Sequence, residues 1–257
     1  VTDFAAEATI ALEITRRERQ LREVQMELAH VNRVTTIGQL AASIAHELKQ
    51  PLGAVLLTGQ TTLRVLTRSP PDIEKAKQLA AAIIKDVNRA THVLDRIHGF
   101  VKKELPRTDN IDLNDAIREV IILTQPEAAK NGVTVRTSLA DQLPRIQGDR
   151  VELQQVMLNL TINAIQAMSG LADGKRELEI TTAPTGQGVH VAVRDTGPGL
   201  AAESLEHIFE PFYTTKPGGM GIGLAICRSI IESHAGRLWA TGCEPHGALF
   251  QFNIPGN

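Results

Sequence analysis

The chain has 257 residues, 42% of them hydrophobic, which is ordinary for a soluble protein and leaves room for one large domain or two modest ones. Its formal net charge is -2, with 15 Lys/Arg against 12 Asp/Glu in residues 1–105 and 12 against 17 in residues 106–257. The asymmetry suggests two units, but no basic stripe interleaved with aromatics is present, which argues against a nucleic-acid binder.

Other classes are excluded on similar grounds. Cys227 and Cys243 lack paired C-x-x-C spacing and are too few for a disulfide scaffold, so reduced, non-catalytic thiols in a cytosolic setting are expected. No window holds the roughly 18 to 20 apolar residues that span a bilayer, and the charged N-terminal stretch is no signal peptide, so no membrane contact is expected of these residues. Because the chain begins with Val1, it reads as a processed product or a fragment, with room for an upstream anchor.

From Glu18 to Gln50, Leu21, Val24, Leu28, Val31, Val34, Ile37, Leu40, Ile44 and Leu48 recur at steps of three and four, which predicts a long helix with one apolar stripe. Residues 1–30 read as a signalling coiled coil or linker helix. Ser69-Pro70-Pro71-Asp72 breaks the pattern, and a second stripe from Ile73 to Val101 predicts an antiparallel helical hairpin. Two such hairpins, one from each copy of the chain, would complete a four-helix bundle in a homodimer.

The texture changes at Leu105-Pro106, where a domain boundary is placed, giving units at 31–105 and 106–257. Helices are then expected at Leu113–Gln125, Asp149–Met168 and Gly221–His234. Strands are expected at Val133–Ser138, Glu177–Ala183, Val189–Asp195, Arg237–Thr241 and Ala248–Ile254. One sheet covered by helices on a face accommodates that order.

Three stretches of this second unit carry chemistry. Asn159 and Asn163 stand four apart and share a helix face, with Glu152 and Gln155 on the same side; a solvated polar face accounts for the pair equally well. "DTGPG" puts Asp195 at a strand end, with Gly197 and Gly199 keeping the turn thin. "PFYTTKPGGMGIGLAI" brings Gly218, Gly219, Gly221 and Gly223 to a helix start, where uncovered backbone amides cradle phosphate and Lys216 adds a charge. The spacing fits neither the Rossmann fingerprint nor the Walker A loop.

Taken in order with "SIAHELKQPL", these stretches resemble the boxes of the bacterial sensor histidine kinase transmitter region: "NLTINAIQAM" the asparagine box, "DTGPG" and "GMGIGL" the glycine boxes, "FEPFYTTK" the phenylalanine box. The resemblance covers about residues 30 to 255. It implies a dimeric four-helix bundle of the dimerisation and phosphotransfer type, followed by an α/β sandwich of the GHKL (Bergerat) ATPase type shared with gyrase, Hsp90 and MutL.

The same resemblance implies ATP and Mg2+ as ligands. Asp195 would accept from the adenine amino group, Asn163 would hold Mg2+, and Asn159 would support it. The segment from Gly199 to Gly219 would be a mobile lid docked by Phe209 and Phe212. Thr215, Lys216, Gly219, Gly221, Gly223 and Leu224 would complete the nucleotide site with Gly197 and Gly199. Hydrolytic relatives carry a glutamate four residues before the metal-binding asparagine; Asn159 stands there instead, so the water-activating base is missing.

A nucleophile is then needed, and His46 fits. It falls off the stripe that holds Ile44 and Leu48, which predicts solvent access. An imidazole is largely neutral at physiological pH and so offers a nitrogen lone pair, and Glu47 beside it would orient the ring or take its proton. A surface histidine without function is the plain alternative. Zinc is disfavoured, since H-E-x-x-H would need a histidine where Gln50 stands.

Pro51 would bend the helix one turn beyond His46. The implied function is autophosphorylation of His46 and transfer to an aspartate on a response regulator receiver domain. The implied location is cytoplasmic for this portion, and cytoplasmic or inner-membrane-anchored for the whole protein. Gln50 departs from the asparagine or threonine that phosphatase-active relatives carry there. The rival readings are a multiple-turnover ATPase and a non-enzymatic nucleotide-sensing scaffold.

Overall fold

A computed structural model describes residues 2–101, 108–171, 174–216, 221–244 and 246–256. Helix α1 (Thr2–Leu66) and helix α2 (Ile73–Val101) form the hairpin, with Asp72 capping α2 by accepting from the Lys75 N–H at 2.9 Å. Residues 2–30 belong to the same unbroken helix as the rest of α1, and Pro51 lies inside it. The boundary expected at Leu105-Pro106 lies outside the described residues. No helix among the described residues is long and apolar enough to cross a membrane.

The second unit starts with β1 (Asp109–Ile111), α3 (Leu113–Lys130), β2 (Thr134–Leu139), β3 (Ile146–Gly148) and α4 (Arg150–Ser169). It continues through β4 (Glu177–Thr185), β5 (Gly188–Asp195), the short α5 (Ala202–Leu205), α6 (Gly223–Ser233), β6 (Arg237–Gly242) and β7 (Ala248–Pro255). Five strands form a sheet in the order β2-β4-β5-β7-β6, parallel only between β2 and β4. β1 and β3 make a separate antiparallel pair.

Alternation along the strands creates the core. Leu178 and Ile180 of β4, Val189, Val191 and Val193 of β5, and Phe250, Phe252 and Ile254 of β7 are buried on one face. Helices α3, α4 and α6 bury against it, α4 most completely, with Leu153, Val156, Met157, Leu160 and Ile165 in the shared cluster. Asp149 caps α4 by accepting from the N–H groups of Val151 and Glu152 at 2.8 and 3.1 Å. Arg150 and Gln154 both donate to Glu119 of α3, at 2.9 and 2.6 Å, which fixes α3 beside α4.

Several details were not legible in the pattern. β1, β3 and α5 are too short to show periodicity. α3 runs on through Pro126 to Lys130, and α6 begins at Gly223 rather than Gly221, because Gly221 adopts φ 67°. The upstream stripe also divides. Leu40 is fully buried and Ile37 and Ile44 pack on the core of the second unit, whereas Val24, Leu28, Val31 and Val34 remain exposed.

Candidate nucleotide and phosphoacceptor sites

Asp195 ends β5 and is buried. Its Oδ1 accepts from the backbone N–H groups of Gly197 at 2.8 Å and Ala248 at 3.3 Å. Both bonds land on one oxygen, which leaves Oδ2 to accept from a ligand. Burial pushes the carboxyl above its ordinary pKa, against the pull of the two N–H groups and of Lys216. Gly197 is required here by space: a Cβ would stand 2.8 Å from Asp195 Oδ1 and 3.2 Å from the Ala167 side chain.

One turn apart on α4, the two asparagines face different partners. Asn163 Oδ1 accepts from Lys216 Nζ at 2.8 Å, and Gln166 Oε1 accepts from the same ammonium at 2.8 Å. Burial lowers the Lys216 pKa, while Asp195 opposes that shift. The Asn163 oxygen therefore already holds a cation, which is the chemistry a hard metal ion asks of an amide oxygen.

Asn159 does not reach toward that cation. Its Oδ1 accepts from Asn32 Nδ2 at 3.3 Å and from Thr36 Oγ1 at 3.2 Å, both on α1. Its Nδ2 donates to Gly223 O at 3.4 Å and to Cys227 Sγ at 3.5 Å on α6. Burial pushes the Cys227 thiol up to about 12, so it is inert as a nucleophile. Gln155, one turn earlier, accepts from Arg33 Nη1 at 3.2 Å and donates to Ala29 O at 3.2 Å.

Between the glycine boxes, Phe209 and the partly buried Tyr213 pack on the core among the described residues. Phe209 is buried, edge-on to Phe250 at a centroid distance of 6.4 Å, with the Arg228 guanidinium 4.4 Å over its ring. Phe212 is 76% exposed with φ 70°, so it does not serve as a second anchor here. Its N–H donates to Gly221 O at 2.8 Å, and a Cβ at Gly221 would meet the Phe212 carbonyl carbon at 2.4 Å. Thr215 is exposed, Gly199 has φ 85°, Gly223 and Leu224 open α6, and Gly219 lies outside the described residues.

His46 is exposed on α1, with Glu47 half-buried beside it. Gln50 Nε2 lies 3.4 Å from His46 Nε2. An amide nitrogen only donates, so this contact matches the tautomer with its proton on Nδ1 and its lone pair on Nε2. Sequence reasoning missed Gln166, Asn32, Arg33 and Thr36. Gln166 follows Asn163 by three residues on the same face and was findable; the α1 residues were not, because nothing local shows what a distant helix will touch.

Comparisons with known proteins match both the helical part of the chain and the part that carries the sheet. Residues 36–106 match the family model described as His Kinase A (phospho-acceptor) domain, and residues 148–257 match Histidine kinase-, DNA gyrase B-, and HSP90-like ATPase. Sensor histidine kinase TmoS of Ectopseudomonas mendocina is 36% identical over 240 residues, covering 93% of this chain and 25% of that protein. The catalytic domain of histidine kinase ThkA superposes with a TM-score of 0.52 at 34% identity, covering 58% of this chain and 98% of that one. ThkA in complex with response regulator protein TrrA matches with a TM-score of 0.52 at 29% identity, over 93% of this chain and 67% of that one. The chain spans a quarter to about half the length of the curated relatives it matches.

Proposed function

Because the chain belongs to the sensor histidine kinases, we propose that it is an ATP-dependent protein-histidine kinase that phosphorylates His46 and passes the phosphoryl group to a response regulator aspartate. The observation that carries this reading is the pairing of two sites in one chain. A nucleotide-type site sits around Asp195 and Asn163 with no carboxylate at position 159, and an exposed imidazole sits on a separate helix. A domain that holds ATP without a water-activating base conserves the terminal phosphoryl group for a nucleophile brought to it.

In this account residues 31–105 are the dimerisation and phosphotransfer unit, residues 106–257 bind ATP, and residues 1–30 deliver the signal. Asp195 Oδ2 accepts the adenine amino group, and Lys216 leaves Asn163 for the phosphates. Asn163, with an amide oxygen already suited to a cation, would hold Mg2+, whose role when bound is to offset phosphate charge. His46 Nε2 attacks the γ-phosphorus, the bond to the bridging oxygen breaks, and ADP departs; Glu47 is placed to steady the ring as its charge rises.

The partner is inferred from the chemistry and from a relative. A phosphohistidine is a stored intermediate, and the solved complex of ThkA with its response regulator supports a receiver domain as acceptor. Exposed Leu52, Leu56, Leu63, Ile84 and Val87 on the hairpin support a homodimer closed into a four-helix bundle. This portion is assigned to the cytoplasm, where ATP and regulators meet.

The discriminating experiment runs the chain with Mg-ATP and measures inorganic phosphate release together with protein-bound phosphate. The kinase reading expects acid-labile, protein-bound phosphate that a receiver domain removes. Steady multiple-turnover phosphate release without labelled protein would establish an ATPase instead.

A further inference from the structure

We infer that Gln166 is a positioning residue for Lys216: it keeps hold of the ammonium when Asn163 turns to the metal, so that the lysine stays beside the phosphates. This rests on the kinase reading above, which puts Mg2+ on Asn163.

Two oxygens on one helix face share the ammonium. Asn163 and Gln166 stand three residues apart on α4, where side chains are neighbours, and their oxygens each accept from Lys216 Nζ at 2.8 Å. The other end of the Gln166 amide settles which way it points. Its Nε2 donates to Gln39 Oε1 at 3.1 Å, which leaves Oε1 for the lysine. An ammonium has three N–H donors and no acceptor, so two are spent here and one is left.

The root of the lysine is fixed. Tyr213, three residues earlier, packs on the core and donates from its hydroxyl to Ser204 Oγ at 3.1 Å. The Lys216 N–H donates to Thr214 Oγ1 at 3.1 Å, which turns the chain at this point. Where the ammonium sits is then a matter of its own flexible stem, and such a stem needs an acceptor at its end to hold one position.

The two acceptors have different fates. Asn163 Oδ1 cannot serve a metal ion and an ammonium together without bringing two cations into contact, so Lys216 gives it up when Asn163 turns to the metal. Gln166 stands one turn farther along α4 and keeps its bond. By rotating about that bond the ammonium frees two N–H groups for phosphate oxygens without losing its tether. In the absence of metal, Asn163 Oδ1 stays available, and either amide alone holds the lysine. Gln166 is therefore needed only when Mg2+ is bound.

The test measures ADP affinity of the whole chain by titration calorimetry, in Mg2+ and in EDTA, for the parent, Gln166→Met, Lys216→Met and the double variant. Methionine keeps the length of glutamine and removes the acceptor. Gln166→Met is expected to weaken Mg-ADP binding about fivefold and to change affinity in EDTA by less than about twofold. In the Lys216→Met background the same substitution is expected to change neither value by more than about twofold. Loss of the Gln39 contact is common to both backgrounds and cancels in that comparison. An equal loss in EDTA, a loss that persists without the lysine, or no loss in Mg2+ overturns the assignment. Should the parent bind no ADP, the kinase reading fails, and acetylation of Lys216 by a water-soluble acylating reagent decides whether Gln166 holds the ammonium. The rate, read by peptide mapping, is expected to be about threefold higher in Asn163→Ala/Gln166→Met than in Asn163→Ala, and equal rates overturn the tether.

Discussion

Lys216 Nζ and Asn163 Oδ1 stand 2.8 Å apart, so the ammonium from the segment between the glycine boxes sits on the oxygen proposed for the metal. Nucleotide loading then exchanges one cation for another at this oxygen. Asn163→Ala removes the acceptor from both. Mg-ADP affinity should fall roughly tenfold, the worth of a hydrogen bond to a charged group, while affinity in EDTA changes little. Titration of a fluorescent nucleotide with and without Mg2+ measures this, and a tenfold loss of equal size in EDTA would remove Asn163 from metal binding.

Asp195 gives a pH dependence with a fixed sign. Burial raises its pKa, so it protonates on acidification sooner than an exposed aspartate does. The ionised form accepts the adenine amino group, and the protonated form loses an acceptor. Nucleotide affinity should therefore be full above the raised pKa and fall as pH drops through it. Asp195→Asn should weaken binding about tenfold or more at neutral pH and flatten this part of the profile. Calorimetric titration with ADP across mildly alkaline to mildly acidic pH checks both, and an equal acid loss in the variant would assign it to another group.

The two phenylalanines make opposite predictions. Phe209 is packed between Phe250 and Arg228, so Phe209→Ala should destabilise the nucleotide-binding unit by about 3 kcal/mol. Phe212 is exposed at φ 70°, where a side chain costs backbone energy, so Phe212→Gly should be neutral or stabilising by up to about 1 kcal/mol. Urea unfolding without nucleotide separates them. Comparable losses for both would show that Phe212 is an anchor after all.

The residues differ in how plainly the sequence announced them, and the difference is physical. Asp195, Gly197, His46 and the start of α4 at its Asp149 cap depend on local chemistry and periodicity, which a chain displays in order. Asn159 shows where that stops. Its pairing with Asn163 at four residues is legible, but its side chain is spent on Asn32, Thr36 and α6, contacts separated by more than sixty residues. Likewise the stripe from Val24 to Leu48 announces burial without saying against what. It is Leu40, Ile37 and Ile44 that meet the second unit, while Val24 and Leu28 do not.

The central claim is that His46 is the phosphoacceptor. The most direct measurement is peptide mapping of the whole chain after brief incubation with γ-labelled Mg-ATP, under alkaline conditions that preserve phosphohistidine. The account predicts one labelled peptide, bearing phosphate on His46, and none in a His46→Gln variant that still binds ADP with parental affinity. Undiminished labelling of that variant, or label mapped to another residue, would contradict it.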